Sequence, residues 1–114
     1  MWIALIFAAL LAMSSAVRAH HGWSEYDSGK PLTLTGTIEE SGYEHPHGHV
    51  RLAAKERTWL VILAPPTRMT HRGLPATALK NGVQATVVGY PNRNRHDEMR
   101  AERITVSGKT VELR

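Results

Sequence analysis

The chain has 114 residues, no cysteine and a formal charge of +4 at pH 7. That bounds it to one small domain and excludes disulfides, thiolate metal sites, a cysteine nucleophile and lipid attachment through cysteine. Basic residues are interleaved with acidic ones, as in Arg100-Ala101-Glu102-Arg103, so the basic tail of a nucleic-acid binder is not expected, and no repeat or low-complexity segment stands out.

Every residue from Trp2 to Met13 is apolar, and Ser14-Ser15-Ala16-Val17-Arg18-Ala19 follows, with small residues three and one before a cut after Ala19. This is the layout of a secretory signal peptide over residues 1–19. A helix made from that apolar run would span roughly 18 Å, well short of a hydrocarbon core of about 30 Å, so a permanent membrane anchor is not expected. A buried N-terminal helix is the competing reading, but the run leaves no polar face to show to water. The expected mature chain, residues 20–114, is a single periplasmic or secreted domain that stands on its core alone.

Leu32, Leu34, Gly36 and Ile38 alternate with Thr33, Thr35, Thr37 and Glu39, the pattern of a strand with one buried face. A second strand is expected from His49 to Ala54, with Val50 and Leu52 inward. The charged turn Lys55-Glu56-Arg57 leads to a third, Thr58 to Leu63, apolar on both faces and therefore central. Pro65-Pro66 ends it and opens a short helix that Gly73 closes. Leu74 to Leu79 reads as a second short turn, and Asn81-Gly82 bends the chain into a fourth strand carrying Val83, Ala85, Val87 and Gly89. Met99 to Val106 and Thr110 to Leu113 read as a hairpin around Ser107-Gly108. Glu102 falls on the apolar face of that hairpin, which a β-bulge or an exposed edge would resolve. This order predicts a mostly β fold, a five- to six-stranded Greek-key barrel of the oligonucleotide/oligosaccharide-binding (OB) type with one short helix after the third strand. An open β-sandwich is the alternative.

The chemistry concentrates in histidine. Cleavage after Ala19 would place the new α-amine on His20 beside the imidazoles of His20 and His21. Amine and imidazole together suit a divalent metal. A second cluster, His45-Pro46-His47-Gly48-His49, spaces imidazoles at i, i+2 and i+4, on one face if the segment is extended. His45 and His47 are the better pair, because Gly48 permits a turn that swings His49 away. With cysteine absent and only Met69 and Met99 left in the expected mature chain, Cu(II), Zn(II) or Ni(II) is favoured over Cu(I), and Cu(II) is the expected metal among the three. The plain alternatives are a frayed terminus and a solvated polar turn. Glu25 and Asp27 could support an imidazole but read more simply as exposed carboxylates. Trp23 and Tyr26 are placed to anchor the terminal segment by packing, and Trp59 reads as core.

His20-His21-Gly22-Trp23-Ser24-Glu25-Tyr26-Asp27, then Lys30 to Thr37, then Pro46-His47-Gly48 resemble the DUF6152 family of small exported bacterial proteins of unknown function, over essentially the whole mature chain. The resemblance implies a periplasmic, β-barrel-like domain. It puts His20, His21, Asp27 and His47 on the shared pattern and His45 where Asn is usual; it implies no activity.

Three functions follow as expectations. The first is a copper-binding module using His20, His21 and His47, with His45 as a further ligand. The second is a metal-independent interaction module for an envelope protein or glycan. The third, an oxidative copper enzyme, is disfavoured by the small surface; no Gly-rich phosphate loop or nucleophile motif is present, and no enzyme activity or nucleic-acid partner is expected.

Overall fold

The computed structural model describes residues 22–114. The expected signal segment and the paired His20 and His21 lie outside the described residues. Six strands form one sheet: β1 (Leu32–Gly42), β2 (His49–Ala54), β3 (Thr58–Ile62), β4 (Gln84–Pro91), β5 (Glu98–Val106) and β6 (Lys109–Glu112). Among the described residues one α-helix, α1 (Pro66–His71), follows β3, and short 3-10 turns cover Gly22–Glu25 and Ala76–Leu79.

Strand order is β3-β2-β1-β4-β5-β6, and β3 also pairs in parallel with the start of β5, Leu60 opposite Glu98 and Ile62 opposite Arg100. That extra pairing closes five strands into a barrel with β6 appended to the far half of β5. The expected OB-like barrel is therefore the observed fold, with the helix between β3 and β4 as expected. Closure also removes the free edges of β3, which is why its outward residues Leu60 and Ile62 are tolerated half-buried.

The interior takes alternate residues from each strand: Ile38, Val50, Leu52, Trp59, Val61, Ala85, Val87, Met99, Ala101 and Ile104 are all buried. Trp59 is core, as expected. In the first half of β1 the alternation is weaker, because Leu32 and Leu34 only pack partly against the core. Met69 from α1, with Leu63, Leu74, Leu79 and Leu113, fills one end of the barrel.

Local chemistry sets the ends of these elements. Pro66 occupies the first turn of α1, where a missing N–H costs nothing. Gly73, at φ +85°, stops the helix: its N–H donates to Thr70 O and the N–H of Leu74 donates back to Met69 O, satisfying the last carbonyls. Two bulges adjust the barrel. Val88 faces Arg103 and Gly89 faces Ala101, so Glu102 is an extra residue on β5. This bulge resolves the conflict that Glu102 posed in the sequence. Its carboxylate instead accepts a hydrogen bond from the Tyr90 hydroxyl at 2.7 Å. Glu39 is likewise extra on β1, between Ile38 opposite Leu52 and Glu40 opposite Arg51. Both Glu39 and Glu40 are exposed.

Candidate functional site

Two buried polar residues mark the site. Glu98 and Arg100 stand on β5 at 6% and 7% exposure, while Met99 and Ala101 between and after them point into the barrel. Successive strand residues point to opposite faces, so Glu98 and Arg100 belong to the outer one. They are buried because the segment from Gly22 to Tyr26 lies over that face. Tyr26 forms a bridge with Asn92, Asp27 N donates to Pro91 O at 2.9 Å, and Arg93 N donates to Glu25 O at 2.9 Å. Tyr26 is itself buried and its hydroxyl donates to Glu98 Oε2 at 2.7 Å. Burial, and then the bond to Glu98, push the Tyr26 phenol well above its ordinary pKa. Trp23 and Tyr26 thus anchor the segment, as the sequence suggested.

Arg100 organises what surrounds it. Its guanidinium carbon lies 4.3 Å from the centre of the Trp23 ring, and Arg114 lies over the same ring at 4.5 Å. Tyr90 meets Trp23 edge-on, ring centres 6.2 Å apart. Arg100 Nη2 is 3.1 Å from His47 Nε2. A guanidinium can only donate, so Nε2 must accept, and a neutral His47 then carries its proton on Nδ1. Arg100 Nε is buried with no hydrogen-bond partner, and no carboxylate lies within salt-bridge distance of Arg100 among the described residues. Burial lowers its pKa from the ordinary arginine value and the charges of Arg114 and Arg68 lower it further, while Tyr26 and the Glu25 carboxylate act in the opposite direction. An arginine stays charged through such a shift, so the face carries a cation that Glu25 offsets from a distance and that no carboxylate pairs directly.

The loop between β1 and β2 is held against α1. Gly48 N donates to Ala64 O at 3.0 Å, Leu63 N donates to Gly48 O at 2.8 Å, and the Tyr43 hydroxyl donates to Leu74 O at 2.7 Å. This clamp fixes His47, which is half-buried, beside Arg100. His45 is exposed at a bend with Pro46. The extended comb of three imidazoles is therefore not formed. His49 enters β2 and meets carboxylates instead, Nδ1 at 3.0 Å from Glu44 and Nε2 at 3.8 Å from Glu40. Among the described residues, no three His, Asp or Glu side chains converge as a metal cage requires. His71 and His96 are exposed and stand apart. No helix of the described residues is long and apolar enough to cross a membrane.

A model of a family of unknown function, DUF6152, matches residues 8–100. The chain belongs to that family. Three solved structures illustrate the fold this DUF6152 chain shares. TiaS in complex with a tRNA and ATP is 20% identical with a TM-score of 0.53, over 78% of this chain and 20% of that one. The Stn1–Ten1 complex of S. pombe is 14% identical with a TM-score of 0.54, over 69% of this chain and 59% of that one. A TiaS mutant lacking its ZRD, in complex with agmatine, is 19% identical with a TM-score of 0.53, over 77% and 25%. The chain spans about a fifth to three fifths of these larger chains, and at such identities the likeness shows the barrel fold alone. No curated protein matches the chain.

Arg68, Arg100 and Arg114 were not singled out by sequence reasoning. A signal was available for Arg68 alone: from Arg57 to His96 the chain has six Arg or Lys and no Asp or Glu, so the stretch containing α1 has no carboxylate of its own to neutralise neighbouring cations.

Proposed function

We propose that the mature chain is an exported, non-enzymatic binding module that holds an acidic segment of another envelope protein on the face formed by Arg68, Arg100 and Arg114. The observation that carries this reading is Arg100, a buried guanidinium with an orphaned Nε and no carboxylate within salt-bridge distance among the described residues. A buried charge is screened less by salt than an exposed one, so it adds to the pull of Arg68 and Arg114, which are more accessible. A glycan is the poorer partner, since Trp59 is buried with Arg57 over its ring and Trp23 already holds two guanidiniums. A sugar ring would have to displace them to stack. The test is NMR titration of the chain beginning at His20 with a hexaglutamate peptide. Shifts concentrated at the side-chain N–H groups of Arg68, Arg100 and Arg114 support the reading. No shifts, or shifts scattered over the whole surface, refute it.

A second reading is a divalent metal, Cu(II) foremost, held by the α-amine and imidazoles of His20 and His21 with His47, His45 lying further out. What favours it is the anchoring of Trp23: three residues reach at most about 11 Å, so a chain starting at His20 begins within reach of the Arg100–His47 pair. What opposes it is Arg100 itself. A metal on Nε2 must take the lone pair that Arg100 uses, and a metal on Nδ1 forces a proton onto Nε2, donor against donor. Cu(II) titration of the chain starting at His20, and of one with an extra residue before it, separates the two readings. Tight binding weakened by the extension favours the metal; equal, weak binding removes it.

A further inference from the structure

The cations around α1 are positioned without being neutralised. Arg68 Nη1 donates to Leu113 O at 3.0 Å, Arg72 Nη1 donates to Glu112 O at 2.8 Å and Arg114 O at 3.1 Å, and Lys109 Nζ donates to Gly73 O at 3.1 Å. A backbone carbonyl fixes the direction of a guanidinium but returns only a partial charge. The nearest acids are engaged elsewhere: Glu112 Oε1 takes Arg103 Nε at 2.9 Å, and Glu102 pairs with Arg114 at 3.6 Å. Even with the Arg114 oxygen counted as a full carboxylate against Arg72, Arg68 and Lys109 keep their charges among the described residues.

Arg68 and Arg72 stand at i and i+4 and therefore on one side of the helical turn, a few ångströms apart at their Cβ atoms. Each has used Nη1 on a carbonyl, which leaves the rest of its donor fork to other acceptors. Between them opens a cleft of about 390 Å³ lined by Pro65, Thr67, Arg68, His71 and Arg72, without an acid. Side chains whose position is already fixed lose less entropy on binding than free ones do. We infer that this cleft is the subsite that takes one carboxylate of the acidic partner, bridged between Arg68 and Arg72; the inference rests on the proposed function above.

Thr67 is exposed, lines the cleft and makes no side-chain bond to the rest of the fold that Glu would break. Thr67→Glu puts a competing carboxylate into the cleft and leaves both arginine–carbonyl bonds in place. Thr33→Glu, at an exposed position on β1, makes the same change in net charge away from it. Calorimetric titration of the mature chain with hexaglutamate should show Thr67→Glu weakened roughly fivefold, and Thr33→Glu within about twofold of wild type. If the two variants weaken equally, or if Thr67→Glu binds like wild type while Arg114→Glu is weakened, the cleft is not the subsite although the cationic face stands. If wild type does not bind hexaglutamate, the proposed function fails first. Sedimentation of the wild type with phosphatidylglycerol vesicles, in buffer where hexaglutamate does not bind, would assign the cations to a lipid headgroup and overturn both.

Discussion

Tyr26→Phe tests whether the N-terminal segment is locked onto the barrel. Glu98 is 6% exposed and accepts from Tyr26 Oη at 2.7 Å, Asn92 Nδ2 at 3.0 Å and Arg95 Nη1 at 3.4 Å. The Arg95 side chain is 77% exposed, so its contribution is heavily screened. Removing the phenol takes away the shortest bond to a buried carboxylate and leaves Asn92 as its main donor. A hydrogen bond to a charged group contributes about 1.5–3 kcal/mol, and that is the expected loss on urea unfolding. With a slope of roughly 1–3 kcal/mol per molar urea, the midpoint should fall by about 1 M. The pH dependence carries a second sign. The folded-state pKa of Tyr26 lies above its ordinary value of 10.0, so its contribution is complete below pH 10 and is lost as the pH rises through the folded value. Stability should therefore fall more steeply above pH 10 in wild type than in Tyr26→Phe. A change of less than about 0.5 kcal/mol with an unaltered alkaline slope would refute the reasoning, because Asn92 and Arg95 would then suffice for Glu98.

Three other outcomes follow from the same geometry. Arg100→Met keeps the aliphatic stem and deletes a buried, unpaired charge; unfolding stability should stay within about 1 kcal/mol of wild type or rise, hexaglutamate binding should weaken, and Cu(II) binding should tighten if His47 is a ligand. Gly89 sits where β4 passes closest to β5, and a Cβ there would run into the Arg100 carbonyl and Ala101. Gly89→Ala should cost about 1–3 kcal/mol of unfolding free energy, measured in urea. Met69, fully buried on α1 at the end of the barrel, should cost roughly 2–5 kcal/mol when replaced by Ala, read as a lowered urea midpoint.

The fold was largely legible because each strand carries its own signals. Threonine alternation in β1, the apolar β3 ended by Pro65-Pro66, and the turns at Asn81-Gly82 and Ser107-Gly108 are local. Even the bulge on β5 announced itself through the misplaced Glu102. The extension of β1 to Gly42 did not, because the extra residue Glu39 breaks the alternation just where the side chains turn polar. The parallel closure of β3 on β5 is a non-local pairing that no short pattern encodes. The site was harder for the same reason. Arg100 meets His47 across 53 positions of chain, and its burial depends on a third segment folding over both. His49 was grouped with its neighbouring histidines, but the strand turns it toward Glu44 and Glu40. The acid-free stretch from Arg57 to His96 was visible, yet only the folded chain brings Arg68 into the same field as Arg100 and Arg114.

The most direct test of the acidic-partner reading is the affinity of the chain beginning at His20 for hexaglutamate, measured by calorimetry at about 10 mM and 150 mM salt, where screening lengths are roughly 30 and 8 Å. Binding that weakens as salt rises and is lost in Arg114→Glu is the predicted result. No binding at low salt, or binding indifferent to both salt and Arg114, would contradict it.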